Sequence, residues 1–113
     1  MPPVEELLKK ELERLSARQE AVQQEIDDLP QGYVSKKAIK GRDYFYLQHR
    51  EGQSVKSQLI KQGALESILE KLQQKQQLKQ ELREIKKERK QIERLLKAEQ
   101  RRMLFGSMKK NTI

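Results

Sequence analysis

Between residues 8 and 29 the apolar side chains Leu8, Leu12, Leu15, Val22, Ile26 and Leu29 recur at intervals of four, three, seven, four and three. This is a heptad seam of about three repeats with one gap, at Gln19. It commits the stretch to a helix that hides a narrow stripe against another helix. Pro2 and Pro3 stand where a helix readily starts, and Glu5 and Glu6 suit its positive end. Pro30 disfavours helix in the residue before it, and Gly32 follows. The spacing therefore predicts a helix over 3–29. Gln19 either fixes the register of the seam or sits in a loosely packed, solvated layer, and the second reading is the blander and favoured one.

A helical period returns from Gly63 to Leu104. Leu65, Ile68, Leu69 and Leu72 form one stripe. Leu78, Leu82, Ile85, Ile92, Leu96 and Met103 form a second, with Arg89 and Glu99 in its remaining slots. The two are out of phase, and they meet in the almost wholly polar residues 72–80. One helix over 63–104 is expected, ~60 Å long at 1.5 Å per residue, with a register shift or bend at that join. Gly106 closes the pattern and leaves 105–113 as a basic flexible tail.

The segment between the helices is different. Residues 33–60 are rich in β-branched and aromatic side chains, and Gly41 and Gly52 divide them into runs of strand length. A three-stranded antiparallel meander follows, with strands near 33–39, 43–50 and 54–60. Alternation puts Tyr44, Tyr46, Gln48 and Arg50 on one face of the middle strand and Phe45, Leu47 and His49 on the other. Phe45 and Leu47 are expected to pack on the helices.

The fold class is thus α+β and predominantly α. A long N-terminal helix, a three-stranded meander and a long C-terminal helix form a single domain over 1–113, with the helices as an antiparallel coiled-coil-like pair. Composition agrees. Charged residues make up 37% and apolar residues 35%, against about 25% and 45–50% in an ordinary globular domain. Such a chain builds long helices more readily than a thick core. The first helix is the shorter of the two, so the stripe from Leu78 to Met103 is expected to lack a partner within the chain. It would drive homodimerisation or capture of a partner protein's helix.

Several function classes are disfavoured. With no cysteine there is no disulfide, thiolate zinc site or thiol nucleophile. No run nears the ~20 apolar residues of a membrane span. The N-terminus lacks the apolar core of a signal peptide, so the cytoplasm is the default. His49 is the only histidine and reads as structural. The carboxylates interleave with Lys and Arg on helix faces, and no phosphate loop or nucleophile elbow occurs. Neither enzyme activity, a metal, a cofactor nor a small-molecule substrate is expected.

Charge points to binding instead. The net charge of +8 is uneven, with eight Asp/Glu against four Lys/Arg in residues 1–29 and a basic remainder. Lys36, Lys37, Lys40, Arg42, Arg50 and Lys56 cluster beside Tyr44 and Tyr46. Lys and Arg neutralise phosphates or acidic protein surfaces, and exposed tyrosines stack on unpaired bases. Lys86, Lys87, Arg89, Lys90 and Arg94 extend the basic surface along the second helix, and Arg101, Arg102, Lys109 and Lys110 lengthen it. The leading expectation is a non-catalytic protein-interaction module associated with a nucleic-acid-handling system. The alternative is direct, largely sequence-independent binding of DNA or RNA.

The residues Leu29-Pro30-Gln31-Gly32-Tyr33, Ser35-Lys36-Lys37, Ile39-Lys40-Gly41, Tyr44-Phe45-Tyr46-Leu47-Gln48 and Arg50-Glu51-Gly52 resemble a group of small uncharacterised proteins. These come from Gram-positive bacteria and their mobile elements and share an LPKG…KKxIKGxxYYYLQYREG-type core followed by a charged helix. The resemblance covers residues 29–60. Gln31 and His49 depart from it, standing where the group has a basic residue and an aromatic. It implies no site residues. It does imply a bacterial or phage setting, and with it a third reading: a phage or mobile-element inhibitor of a host nucleic-acid-targeting nuclease, in the manner of an anti-CRISPR protein.

Overall fold

The computed structural model describes residues 3–110, with side chains as far as Leu104. The elements follow the expected order: α1 (Val4–Asp27), β1 (Tyr33–Ile39), β2 (Arg42–Glu51), β3 (Ser54–Leu59) and α2 (Leu65–Lys110). The helices pack against each other, and no helix among the described residues is long and apolar enough to cross a membrane. α1 stops ahead of Pro30, and its last turn closes with the Leu29 N–H donating to the Ile26 carbonyl at 3.1 Å. α2 runs beyond the predicted end at Leu104, through Gly106 to Lys110. One glycine costs a helix only ~1 kcal/mol, and no proline follows to enforce a stop. The predicted tail is therefore helical to Lys110, and residues 111–113 lie outside the described part.

The chain divides into two compact units. The first joins residues up to Gln24 with those from Gln80 onward, and the second comprises Glu25–Lys79.

The first unit is an antiparallel helix pair. Arg18 meets Glu81 at 2.8 Å, Gln19 meets Arg89 at 2.7 Å, and Glu5 meets Gln100 at 3.3 Å, so early residues of α1 face late residues of α2. Leu15, Val22 and Ile85 are buried, and Leu8, Leu12, Leu82, Ile92 and Leu96 are half-buried. The stripe expected to lack a partner therefore has one. Leu82, Ile85, Ile92 and Leu96 lie in the seam with α1, and Leu78 is buried in the second unit. Of the six, only Met103, beyond the reach of α1, is exposed.

The second unit explains why. Its cleft of about 310 Å³ is lined by Gly32, Tyr33 and Val34 on one side and by Leu69, Leu72 and Lys75 on the other. The start of β1 thus borders the first turns of α2. The Lys75 ammonium then donates to the Pro30 carbonyl at 3.1 Å, fixing the chain as it leaves α1. Burial, helped by nearby Lys79, holds the Lys75 pKa below its ordinary value, and Asp27 opposes the shift. Of the first stripe of α2, Leu65, Ile68 and Leu72 are half-buried in the second unit and Leu69 is exposed; of the second stripe, Leu82, Ile85, Ile92 and Leu96 lie in the first unit. The change of phase between residues 72 and 80 is a change of partner along one unbroken helix.

The sheet has the order β1-β2-β3, all antiparallel. Lys40 and Gly41 form the first turn with φ of 52° and 78°, the double positive signature of a type I′ hairpin. Ile60, next to β3, is buried and its N–H donates to the Phe45 carbonyl at 2.9 Å.

Candidate binding surface on the sheet

The register resolves which side chains share a face, because residues directly opposite in an antiparallel pair point the same way. Val34 stands opposite Leu47, Lys36 opposite Phe45, and His49 opposite Lys56. These lie on the first face, whose Phe45 and Ile60 line a cleft of about 680 Å³ together with Leu65 of α2; Arg42, Tyr44 and Leu59 of the other face border the same cleft. Phe45 and Leu47 are half-buried there.

On the second face Tyr33 stands opposite Gln48, Ser35 opposite Tyr46, Lys37 opposite Tyr44 and Ile39 opposite Arg42. Across the other junction Leu59 pairs with Tyr46, Ser57 with Gln48 and Val55 with Arg50. Tyr33, Ile39, Val55 and Leu59 are all exposed, and Tyr44 and Tyr46 in the middle strand are half-buried, like Phe45 and Leu47. The exposed apolar side chains of this face thus lie on the two outer strands, flanking the half-buried tyrosines of the middle one.

The predicted basic cluster is divided between these faces. Lys36 and Lys56 fall on the first, where Lys36 pairs with Asp43 at 3.3 Å and Lys56 with Glu51 at 2.6 Å. Their charge is locally balanced. Lys37, Arg42 and Arg50 fall on the second face with Tyr44 and Tyr46, and Lys40 sits at the turn beside them. Asp43 and Glu51, the only acidic residues of the three strands, are both on the first face. The second face therefore carries three cations and no carboxylate. The Lys37 ammonium lies 5.0 Å from the centre of the Tyr46 ring, within cation–π range, which holds that ring and its cation together on the surface.

All three tyrosines of the chain (Tyr33, Tyr44 and Tyr46) are on this face. Tyr33 was not among the residues singled out from sequence, nor were Ile39, Val55 and Leu59. The two-residue turn at Lys40-Gly41 was the signal that would have found them, since it sets the pairing of β1 on β2. On α2 the basic run is not one solvated face, because Arg89 turns into the seam toward Gln19. Arg102 is paired with Glu99 at 2.6 Å, and the side chains of Lys109 and Lys110 lie outside the described residues.

Among the described residues no three His, Asp or Glu side chains gather as a metal ion would require. The arrangement suits non-covalent contact: aromatic rings at the centre, cations around them, and Gln48 and Ser57 to exchange hydrogen bonds, while the Ser35 hydroxyl is buried. Compared with protein-family models, curated proteins and solved structures, the chain matches none.

Proposed function

We propose that this chain is a non-catalytic binding protein whose contact surface is the second face of the sheet, and that its partner is an anionic macromolecule. One observation carries this reading: Lys37, Arg42 and Arg50 share a face with three tyrosines and no carboxylate, while the other face pairs each lysine with an acid. Uncompensated cations beside exposed apolar surface raise the local concentration of an anionic partner and speed its capture. The role first expected for the long helix, as the main protein-interaction element, loses its support because α1 occupies that seam.

The test compares two sets of charge reversals in capture from a bacterial lysate. Lys37→Glu, Arg42→Glu and Arg50→Glu together are expected to abolish recovery of the partner. Lys36→Glu with Lys56→Glu, which alters the opposite face, is expected to leave it largely intact. Equal loss in both sets would remove the second face as the contact.

A further inference from the structure

We infer that the occupant of this face is a single strand of nucleic acid, held by base stacking on Tyr44 and Tyr46 and by phosphate contacts to Lys37, Arg42 and Arg50. The inference rests on the binding role proposed above and names its partner. Charge complementarity selects a polyanion. The tyrosines narrow the choice, because an aromatic ring at the surface stacks on any base without regard to sequence, and Tyr44 and Tyr46 are half-buried at this surface. Sheets that carry two or three such rings are an established chemical solution for unpaired strands.

The spacing argues for a strand and against a duplex. Tyr44 and Tyr46 are two residues apart on β2, which separates their attachment points by ~6.6 Å. That is about twice the 3.4 Å rise per nucleotide of a stacked strand. Consecutive bases can reach both rings only if they are unstacked from each other, which a paired helix resists and a single strand permits. Tyr33 extends the platform onto β1, where it lies diagonal to Tyr46 across the Gln48 pair. The cations sit at both ends of β2 and on β1, so a strand crossing the rings keeps its phosphates near positive charge on either side.

The chain offers its own reporter. It has no tryptophan, and every tyrosine is on this face, so tyrosine emission reports on the surface alone in the unaltered protein. The experiment titrates the full chain with labelled oligouridine, oligothymidine, a duplex of equal length and polyglutamate, reading both anisotropy and tyrosine emission. Either single strand, the two arms separating RNA from DNA, should bind more tightly than the duplex and quench the emission over the same concentration range. Tyr44→Ala or Tyr46→Ala should weaken binding about 5- to 150-fold, with the Phe variant at either position close to the parent. Removing Lys37, Arg42 or Arg50 should each reduce the salt slope by ~0.7. Binding of the single strand without change in tyrosine emission overturns the inference, even if an Ala variant fails to fold. Equal or tighter binding of duplex or polyglutamate through the same cations also overturns it, yet leaves the face as an anion-binding surface. If no probe binds and the charge reversals do not alter lysate capture, both fall.

Discussion

Gly32 makes the closest backbone approach of the four glycines among the residues described with side chains. Its φ is +106°, and a Cβ placed there would run into the carbonyl of Gln48 and touch His49. Gly41 also has positive φ, +78°, but open space surrounds it. Comparing alanine at the two positions isolates the clash from the backbone conformation. Both should destabilise, by ~1–3 kcal/mol for the backbone strain alone, and Gly32→Ala should exceed Gly41→Ala in urea denaturation. Equal losses would mean that the approach to Gln48 relaxes freely. Lys40 is the converse case: a lysine held at φ 52° where the hairpin prefers asparagine or glycine. Lys40→Asn should raise stability by ~0.5–1 kcal/mol, visible as a higher urea midpoint with an unchanged slope.

Between the two helices, the polar slots of the two seams meet. Gln19 interrupts the stripe of α1 and Arg89 that of α2, and the Arg89 guanidinium donates to the Gln19 side-chain oxygen at 2.7 Å. Arg89 also reaches Glu93 at 3.6 Å, while its Nε is buried without a partner. The layer is therefore not the loose, solvated one favoured from sequence; its two members specify each other. Gln19→Leu alone should cost ~1.5–3 kcal/mol, because it strips a hydrogen bond from a partly buried charge. The double change Gln19→Leu with Arg89→Leu should recover most of that loss and relax register, as removal of a polar seam layer does. A double-mutant cycle in urea measures the coupling, and additive losses would show that the contact is incidental. This pairing was not legible in the sequence, although each half was. The periodicity gave both helices and their inward residues, and Gly41 and Gly52 gave the hairpins. Missing was the register between elements: which part of α2 the sheet covers, and which strand faces coincide. Those follow from long-range packing, such as Lys75 on Pro30, to which a one-dimensional period is blind. The consequence for experiment is direct. Ile85 is 6% exposed against α1, so Ile85→Lys probes folding and not self-association. It should unfold the helix pair by circular dichroism at every protein concentration, where a dimer contact would show concentration dependence.

At the scale of the molecule, apolar burial is sparse and charge is plentiful. Six hydrophobic residues are buried among those described, while the sequence holds 25 Lys and Arg against 17 Asp and Glu. Electrostatic balance then matters more than in a chain with a thick core. The carboxyl of Glu5 is held below the usual carboxylate range by its hydrogen bond from Gln100 and by Lys9, and that of Glu11 by Arg14. A carboxylate with a depressed folded pKa contributes stability that is present above its unfolded value and lost as pH falls through the folded one. Both groups are exposed, so each contribution is small and screened by salt. The larger effect is collective. As the acids neutralise, the basic residues of α2 lose the acidic partner helix that offsets them, and repulsion grows through the whole chain. Stability should therefore hold from pH 7 to about 5 and decline steeply below about 4.5, within the carboxylate titration range. The measurement is the urea midpoint at pH 7, 5, 4 and 3, in low salt and in 0.5 M salt. Added salt should restore part of the acid loss, since a Debye length of only a few ångströms screens repulsion between exposed charges. It should not restore the part that belongs to Glu5, which the variant Glu5→Gln loses already at pH 7. An acid transition insensitive to salt would place the loss in specific carboxylate contacts and not in the net charge.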